Sequence, residues 1–111
     1  MSLLDLEGKD SDEIVFETFQ LNELQKEIFL EIRDRQMTVK QIKEEVDRSR
    51  STVQRALQEM LDKDLVLREG KTDKTVYYVY TTVPWEDIKD LTRETISDWY
   101  EEVDDRLSRN S

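Results

Sequence analysis

"DRSRSTVQRALQEMLDKDLV", residues 47–66, sets three arginines and a run of Ser and Thr ahead of an amphipathic stretch. Val53, Ala56, Leu57, Met60 and Leu61 recur at spacings of three and four, the buried stripe of a helix. Arg50, Ser51, Gln54, Arg55 and Gln58 are left on the outer side, toward the start of that helix. Ser49 or Ser51 can cap it, and the predicted helix runs over residues 49–63. No acidic residue interrupts the segment from Arg48 to Gln58.

That gap lies in a chain of 111 residues with a formal net charge of −10. Residues 1–35 carry ten acids and four bases, residues 82–111 nine and four, and residues 36–81 eight and nine. A local positive patch is therefore embedded in an acidic surface. The overall excess of acids fits a protein adapted to high salt, where self-repulsion is screened and acidic groups hold water. The plain alternative is simply an acidic protein.

Composition narrows the chemistry further. The chain is 36% apolar and 40% charged with only two Gly and one Pro, which predicts a helical globular domain rather than disorder. It has neither Cys nor His. Disulfides, thiolate nucleophiles, His/Cys metal sites and Ser-His or Cys-His catalysis all drop out together. No catalytic residue, metal ligand or cofactor is assigned, and the expectation is that the protein is not an enzyme. The opening residues MSLLDLEGKDSDE lack the basic and apolar regions of a secretory signal, and no window approaches a membrane span. A soluble, cytoplasmic protein without membrane contact is expected.

Outward from the opening stretch, Leu21, Leu24, Ile28, Phe29 and Ile32 predict an amphipathic helix over residues 21–35. Thr38-Val-Lys-Gln41 forms a capping-box pattern, and the helix after it turns Val39, Ile42 and Val46 inward. Asp47 and Arg48 leave room only for a tight turn. Beyond the helix of residues 49–63, residues 65–68 and 75–83 read as a hairpin with a Gly-Lys-Thr-Asp-Lys tip at 70–74. Pro84 ends the second strand, and Trp85 to Leu107 reads as one long helix with Glu86 and Asp87 in its first turn. Ile14 to Phe19 fits either a short strand or the lead-in to a helix.

Two short helices joined by a tight turn and followed by a hairpin with a basic tip give the element order of a winged helix-turn-helix. Residues 49–80, SRSTVQRALQEMLDKDLVLREGKTDKTVYYVY, resemble the recognition helix and wing of winged helix-turn-helix transcriptional regulators of the MarR and TrmB-like type of archaea and bacteria. The Ser-Arg-Ser-Thr-Val opening, the Ala-Leu pair and the Leu-Val-Leu-Arg strand carry the resemblance, which covers about residues 21–83. One departure stands out: such regulators usually place Gly at the end of this helix, where this chain has Asp64. The expected fold class is mainly α with a small β-hairpin wing. The expected domains are an N-terminal extension (1–20), a winged helix-turn-helix DNA-binding domain (21–83) and a C-terminal dimerisation helix and tail (84–111).

A recognition helix must present donors and small groups in its first two turns, the end that reaches base edges in the major groove of double-stranded DNA. Arg50, Gln54 and Arg55 are the candidates for base reading, with Gln58 on the same exposed side. Ser49, Ser51 and Thr52 suit phosphate oxygens at the helix start, and Thr38, Lys40 and Arg48 suit the backbone nearby. The resemblance implies that Lys71, Thr72 and Lys74, in a wing spanning residues 69–75, lie along the DNA backbone or minor groove. In the bland alternative, Arg50 and Arg55 pair with Glu59 or Asp47, and the wing lysines are merely a polar tip. Tyr77, Tyr78 and Tyr80 are expected to pack in the core rather than to form a base-stacking platform.

The stripe of Ile88, Leu91, Ile96, Trp99, Val103 and Leu107 exceeds what a domain with three small helices can cover, so the last helix is expected to form a homodimer. The resemblance implies the same, and a two-fold dimer favours a palindromic operator. The carboxylates Asp98, Glu101, Glu102, Asp104 and Asp105 read as a solvated face rather than a cation site. Two other readings compete: a winged-helix protein-interaction module that turns its acidic surface toward a basic partner, and a sensor with a small apolar effector. At this net charge DNA is repelled at long range unless salt screens it, so few phosphate contacts and more base contacts are expected.

Overall fold

The computed structural model describes residues 10–109. Contacts group residues 21–83 into one unit, and the segments before and after them into another. The first unit holds α2 (Glu23–Ile32), α3 (Val39–Val46), α4 (Arg50–Asp62), β1 (Val66–Thr72) and β2 (Val76–Thr82). The second holds α1 (Ser11–Thr18) and α5 (Trp85–Arg109). Five helices and one antiparallel hairpin make the fold mainly α with a β-hairpin wing.

In the first unit, each helix start is fixed by a side chain that satisfies an otherwise orphaned amide. Asn22 and Gln25 form a capping box at α2, and Thr38 with Gln41 forms the one expected from sequence at α3. Ser49 caps α4 by accepting from the Thr52 amide at 3.2 Å. Asp47, at φ 52°, ends α3 in the left-handed region, so a two-residue turn suffices to reach α4. Ile28, Phe29, Ile32, Ile42, Val46, Val53, Leu57 and Met60 then close a core from three helices. Leu61, expected inward, is only half-buried.

A polar group also belongs to this core. Gln25 is 1% exposed; its Oε1 accepts from the Asn22 amide at 3.0 Å and its Nε2 donates to Glu59 Oε2 at 2.6 Å. Buried amides are tolerated when satisfied in this way, and the bond ties the head of α2 to α4.

At its far end α4 closes in a Schellman arrangement. The Leu65 amide donates to the Met60 carbonyl and the Asp64 amide to the Leu61 carbonyl, both at 3.0 Å, with Leu65 and Met60 fully buried. Asp64 takes φ 62°, so the position that usually carries Gly does adopt the left-handed conformation here. The chain enters β1 directly, and β1 pairs with β2 from Val66↔Thr82 to Thr72↔Val76. Met37 and Tyr80 exchange two backbone hydrogen bonds (3.0 and 2.8 Å), which fasten the outer edge of β2 to the entrance of α3. Thr81 and Thr82 donate to the carbonyls of Ile32 and Arg33. The hairpin root is thus clamped, while residues 75–78 of its outer half are exposed.

In the second unit, the segment that fitted either strand or helix is the helix α1. Asp10 accepts from the Glu13 amide at 2.9 Å, and Val15 and Phe16 are buried. Helix α5 follows Pro84, with Glu86 and Asp87 in its first turn and Arg106 and Arg109 in its last, matching the helix dipole at both ends. Ion pairs at i,i+3 and i,i+4 line its exposed side; Lys89 lies 2.8 Å from Glu86 and, by hydrogen bond and charge, holds that carboxyl below its usual range. No helix among the described residues is long and apolar enough to cross a membrane. Residues 1–9 and 110–111, parts of the expected extension and tail, lie outside the described residues.

Candidate nucleic-acid interface

The outer side of α4 starts from its register: with Val53, Ala56, Leu57 and Met60 buried, Arg50, Ser51, Thr52, Gln54, Arg55 and Gln58 are all exposed. Ser49 and Arg48, in the preceding turn, are exposed as well. Among the described residues neither Arg50 nor Arg55 has an ion pair, so the alternative that pairs them with Glu59 or Asp47 is not what the side chains adopt. Glu59 instead accepts from Gln25. The two guanidiniums are therefore available to an external acceptor without first giving up a carboxylate.

Other members of the patch are partly committed. Ser49 Oγ donates to Thr52 Oγ1 at 2.8 Å, and the Thr38 hydroxyl accepts from the Gln41 amide. Their hydroxyls organise helix starts as much as they offer contacts. Arg48 donates to the Asp47 carbonyl at 3.1 Å, and Gln58 donates to Asp62 at 2.9 Å, one turn further from the helix start. At the wing, Lys71 pairs with Glu69 at 3.2 Å, whereas Lys74 has no ion pair among the described residues. Lys71 is thus already engaged with a carboxylate, and Lys74 is not.

Lys40, Thr38, Arg50 and Gln54 meet the wing across a cleft of about 440 Å³, whose other wall is Thr75, Val76, Tyr77, Tyr78 and Tyr80. Here the expectation for the tyrosines needs correction. Tyr80 is in the core at 8% exposure, but Tyr77 and Tyr78 are 40% and 47% exposed. Core packing predicted from aromatic strand residues holds only where the strand lies over helices, and β2 outruns them. Arg68, opposite Tyr80 on β1, reaches along the strand and stacks over the Tyr78 ring at 4.6 Å. Tyr77, Tyr78 and Arg68 are members of this surface that sequence reasoning missed.

On α5 the expected dimerisation stripe divides. Ile88 is buried, Leu91, Ile96 and Val103 are half-buried, and Trp99 and Leu107 are 55% and 67% exposed, with Tyr100 beside them at 66%. Among the described residues no group of His, Cys, Asp and Glu is placed to hold a metal ion.

A helix-turn-helix followed by a β-hairpin is the architecture of the winged-helix class. Comparison with known proteins gives the family: residues 16–86 match the sugar-specific transcriptional regulator TrmB family, and the chain belongs to it. The family consists of regulators, not enzymes. The uncharacterized protein MJ1082 of Methanocaldococcus jannaschii is 39% identical over 67 residues, which are 60% of this chain and 56% of that protein. The chain spans about half the length of the curated relatives it matches. Among solved structures, a possible transcriptional regulator from Methanosarcina mazei superposes with a TM-score of 0.75 at 16% identity, covering 88% of this chain and 86% of that one. A protein described as a MarR-family regulator from Enterococcus faecalis gives 0.59 at 16% identity, covering 95% and 98%. At these identities the structures establish the winged-helix fold.

Proposed function

We propose that the chain is a sequence-specific regulator that binds double-stranded DNA as a homodimer from a cytoplasmic location. The α4 side chains Arg50, Gln54 and Arg55 read base edges in the major groove. Gln58 belongs to the same exposed side of the recognition helix; Ser49, Ser51, Thr52, Thr38, Lys40 and Arg48 hold the backbone, and Lys71, Thr72 and Lys74 of the wing hold the backbone or minor groove. The observation that carries this reading is the exposure of Arg50 and Arg55, free of carboxylate partners among the described residues, in an acid-free stretch that carries three arginines in a chain with net charge −10. A protein-interaction module gains nothing from leaving these arginines unneutralised on that turn.

The dimer rests on Ile88, Leu91, Ile96, Trp99, Val103 and Leu107 of α5, whose outer half leaves large apolar side chains in solvent. A two-fold dimer sets its recognition helices about 34 Å apart and so matches a palindromic operator. The acidic remainder of the surface makes the protein a salt-tolerant binder, with contact groups outweighing long-range attraction. Fluorescence anisotropy of labelled duplexes across a salt series tests the reading. Binding that persists as salt rises, with a shallow slope, supports it; absence of binding at every salt concentration refutes it.

A further inference from the structure

Helix α4 carries two acids, Glu59 and Asp62, and each accepts a hydrogen bond from a glutamine amide. Glu59 bears on Arg55, because it lies four residues further along the same helix and both side chains are exposed. Residues at that spacing are neighbours on a helix surface, where an acid and a base attract one another. Elsewhere in this chain such neighbours pair: Glu31 with Arg35, Glu102 with Arg106 and Asp105 with Arg109. Arg55 has no ion pair among the described residues, and Glu59 Oε2 instead accepts from Gln25 Nε2 of α2 at 2.6 Å.

The energetics favour this choice of partner. Gln25 is 1% exposed, so its amide is shut off from solvent and loses its satisfaction if Glu59 turns away. An exposed guanidinium without a carboxylate is simply hydrated. In addition, the base precedes the acid in the Arg55 and Glu59 pair, the weaker of the two orders on a helix. One hydrogen bond from the core therefore suffices to divert the carboxylate. We propose that Gln25 is a positioning residue for DNA reading: by holding Glu59, it leaves Arg55 free to meet a base edge. This role rests on the reading of DNA by Arg55 proposed above.

Fluorescence anisotropy of the full chain, with the duplex that the wild type selects from a random pool, tests the role. Gln25→Met keeps the length of the side chain and removes its donor. It should weaken binding about two- to fivefold, the effect of one exposed ion pair at this spacing competing for Arg55. Adding Glu59→Gln removes the competing acid without restoring a bond to residue 25, and should return the affinity to that of the wild type. A Gln25 that served only to tie α2 to α4 could not be rescued in this way. In an Arg55→Ala background, Gln25→Met should have no further effect. Asn22→Ala opens the same capping box but leaves the bond to Glu59, so it should keep wild-type affinity. Circular dichroism establishes the fold of each variant. Should Gln25→Met fail to fold, Gln25→Glu keeps the acceptor for the Asn22 amide, lacks the donor, and is expected to show the same loss and the same dependence on Arg55. Unchanged affinity on loss of the Gln25 donor, or a loss that persists without Glu59 or without Arg55, overturns the role of Gln25 alone. Absence of duplex binding by the wild type at every salt concentration refutes the DNA reading, and this role with it.

Discussion

Asp64→Gly should stabilise the protein, and the size of the gain can be worked from the junction of α4 and β1. Asp64 sits at φ 62°, where the Cβ of an L-residue meets the following carbonyl. That conformation costs an L-residue about 1–2 kcal/mol, toward the lower end for Asp. Glycine removes this cost but loses about 0.5–1 kcal/mol of extra chain entropy on folding. The side chain is also an exposed carboxylate at the negative end of the α4 dipole, so its removal adds about 0.3 kcal/mol. The net gain is about 0.3–0.8 kcal/mol, or about 1–4 °C in Tm for a chain of 111 residues. Differential scanning calorimetry measures it, with Asp64→Asn as the control that removes the charge and keeps a Cβ. The expected order of Tm is Gly above Asn above Asp. A glycine variant that melts below the wild type would refute the reasoning, because the left-handed strain would then not be a stored cost. The Schellman bonds at 3.0 Å are made by backbone, so DNA affinity should be unchanged.

Other expectations follow from the same structure. Thr38→Ala removes one half of the α3 capping box and should lower stability by about 1 kcal/mol, measured by urea unfolding at constant m. Lys74→Ala should make the slope of log affinity against log salt shallower by about 0.9, whereas Lys71→Ala, whose ammonium already pairs with Glu69, should change it less. Equal slope changes would show that the Glu69 pair does not persist in solution. If the proposed dimer forms through α5, Trp99→Glu should convert it to monomer in sedimentation equilibrium, since a carboxylate cannot be buried unpaired in an apolar interface; a dimer mass in both proteins would remove Trp99 from the interface, and a monomer mass in the wild type would refute the dimer.

Much of the fold was legible because local signals agreed with one another. The α4 stripe, the Thr38 capping box, the tight turn at Asp47 and the β-branched run before Pro84 each point to one element, and each is observed. Ile14 to Phe19 was ambiguous because a short apolar run satisfies both periods; the Asp10 cap decides it, and a cap is visible only once the helix start is known. Burial of Gln25 was not legible, since it depends on Glu59, 34 positions away. The exposed arginines of the candidate site follow from helix register alone. The aromatic wall does not, because exposure of Tyr77 and Tyr78 depends on how far the hairpin outruns the helices, a tertiary property with no local code.

The most direct test of the account is selection of DNA from a pool of random duplexes, by the wild type and by an Arg50→Ala, Arg55→Ala variant, at several salt concentrations. Both side chains are exposed and outside the core, so the variant should fold. Recovery of a palindromic motif by the wild type and its loss in the variant is the result predicted, with about 1–3 kcal/mol of discrimination lost for each bidentate base contact. Absence of any selected sequence at every salt concentration would contradict DNA reading by α4 and favour a winged-helix module that meets a protein partner instead.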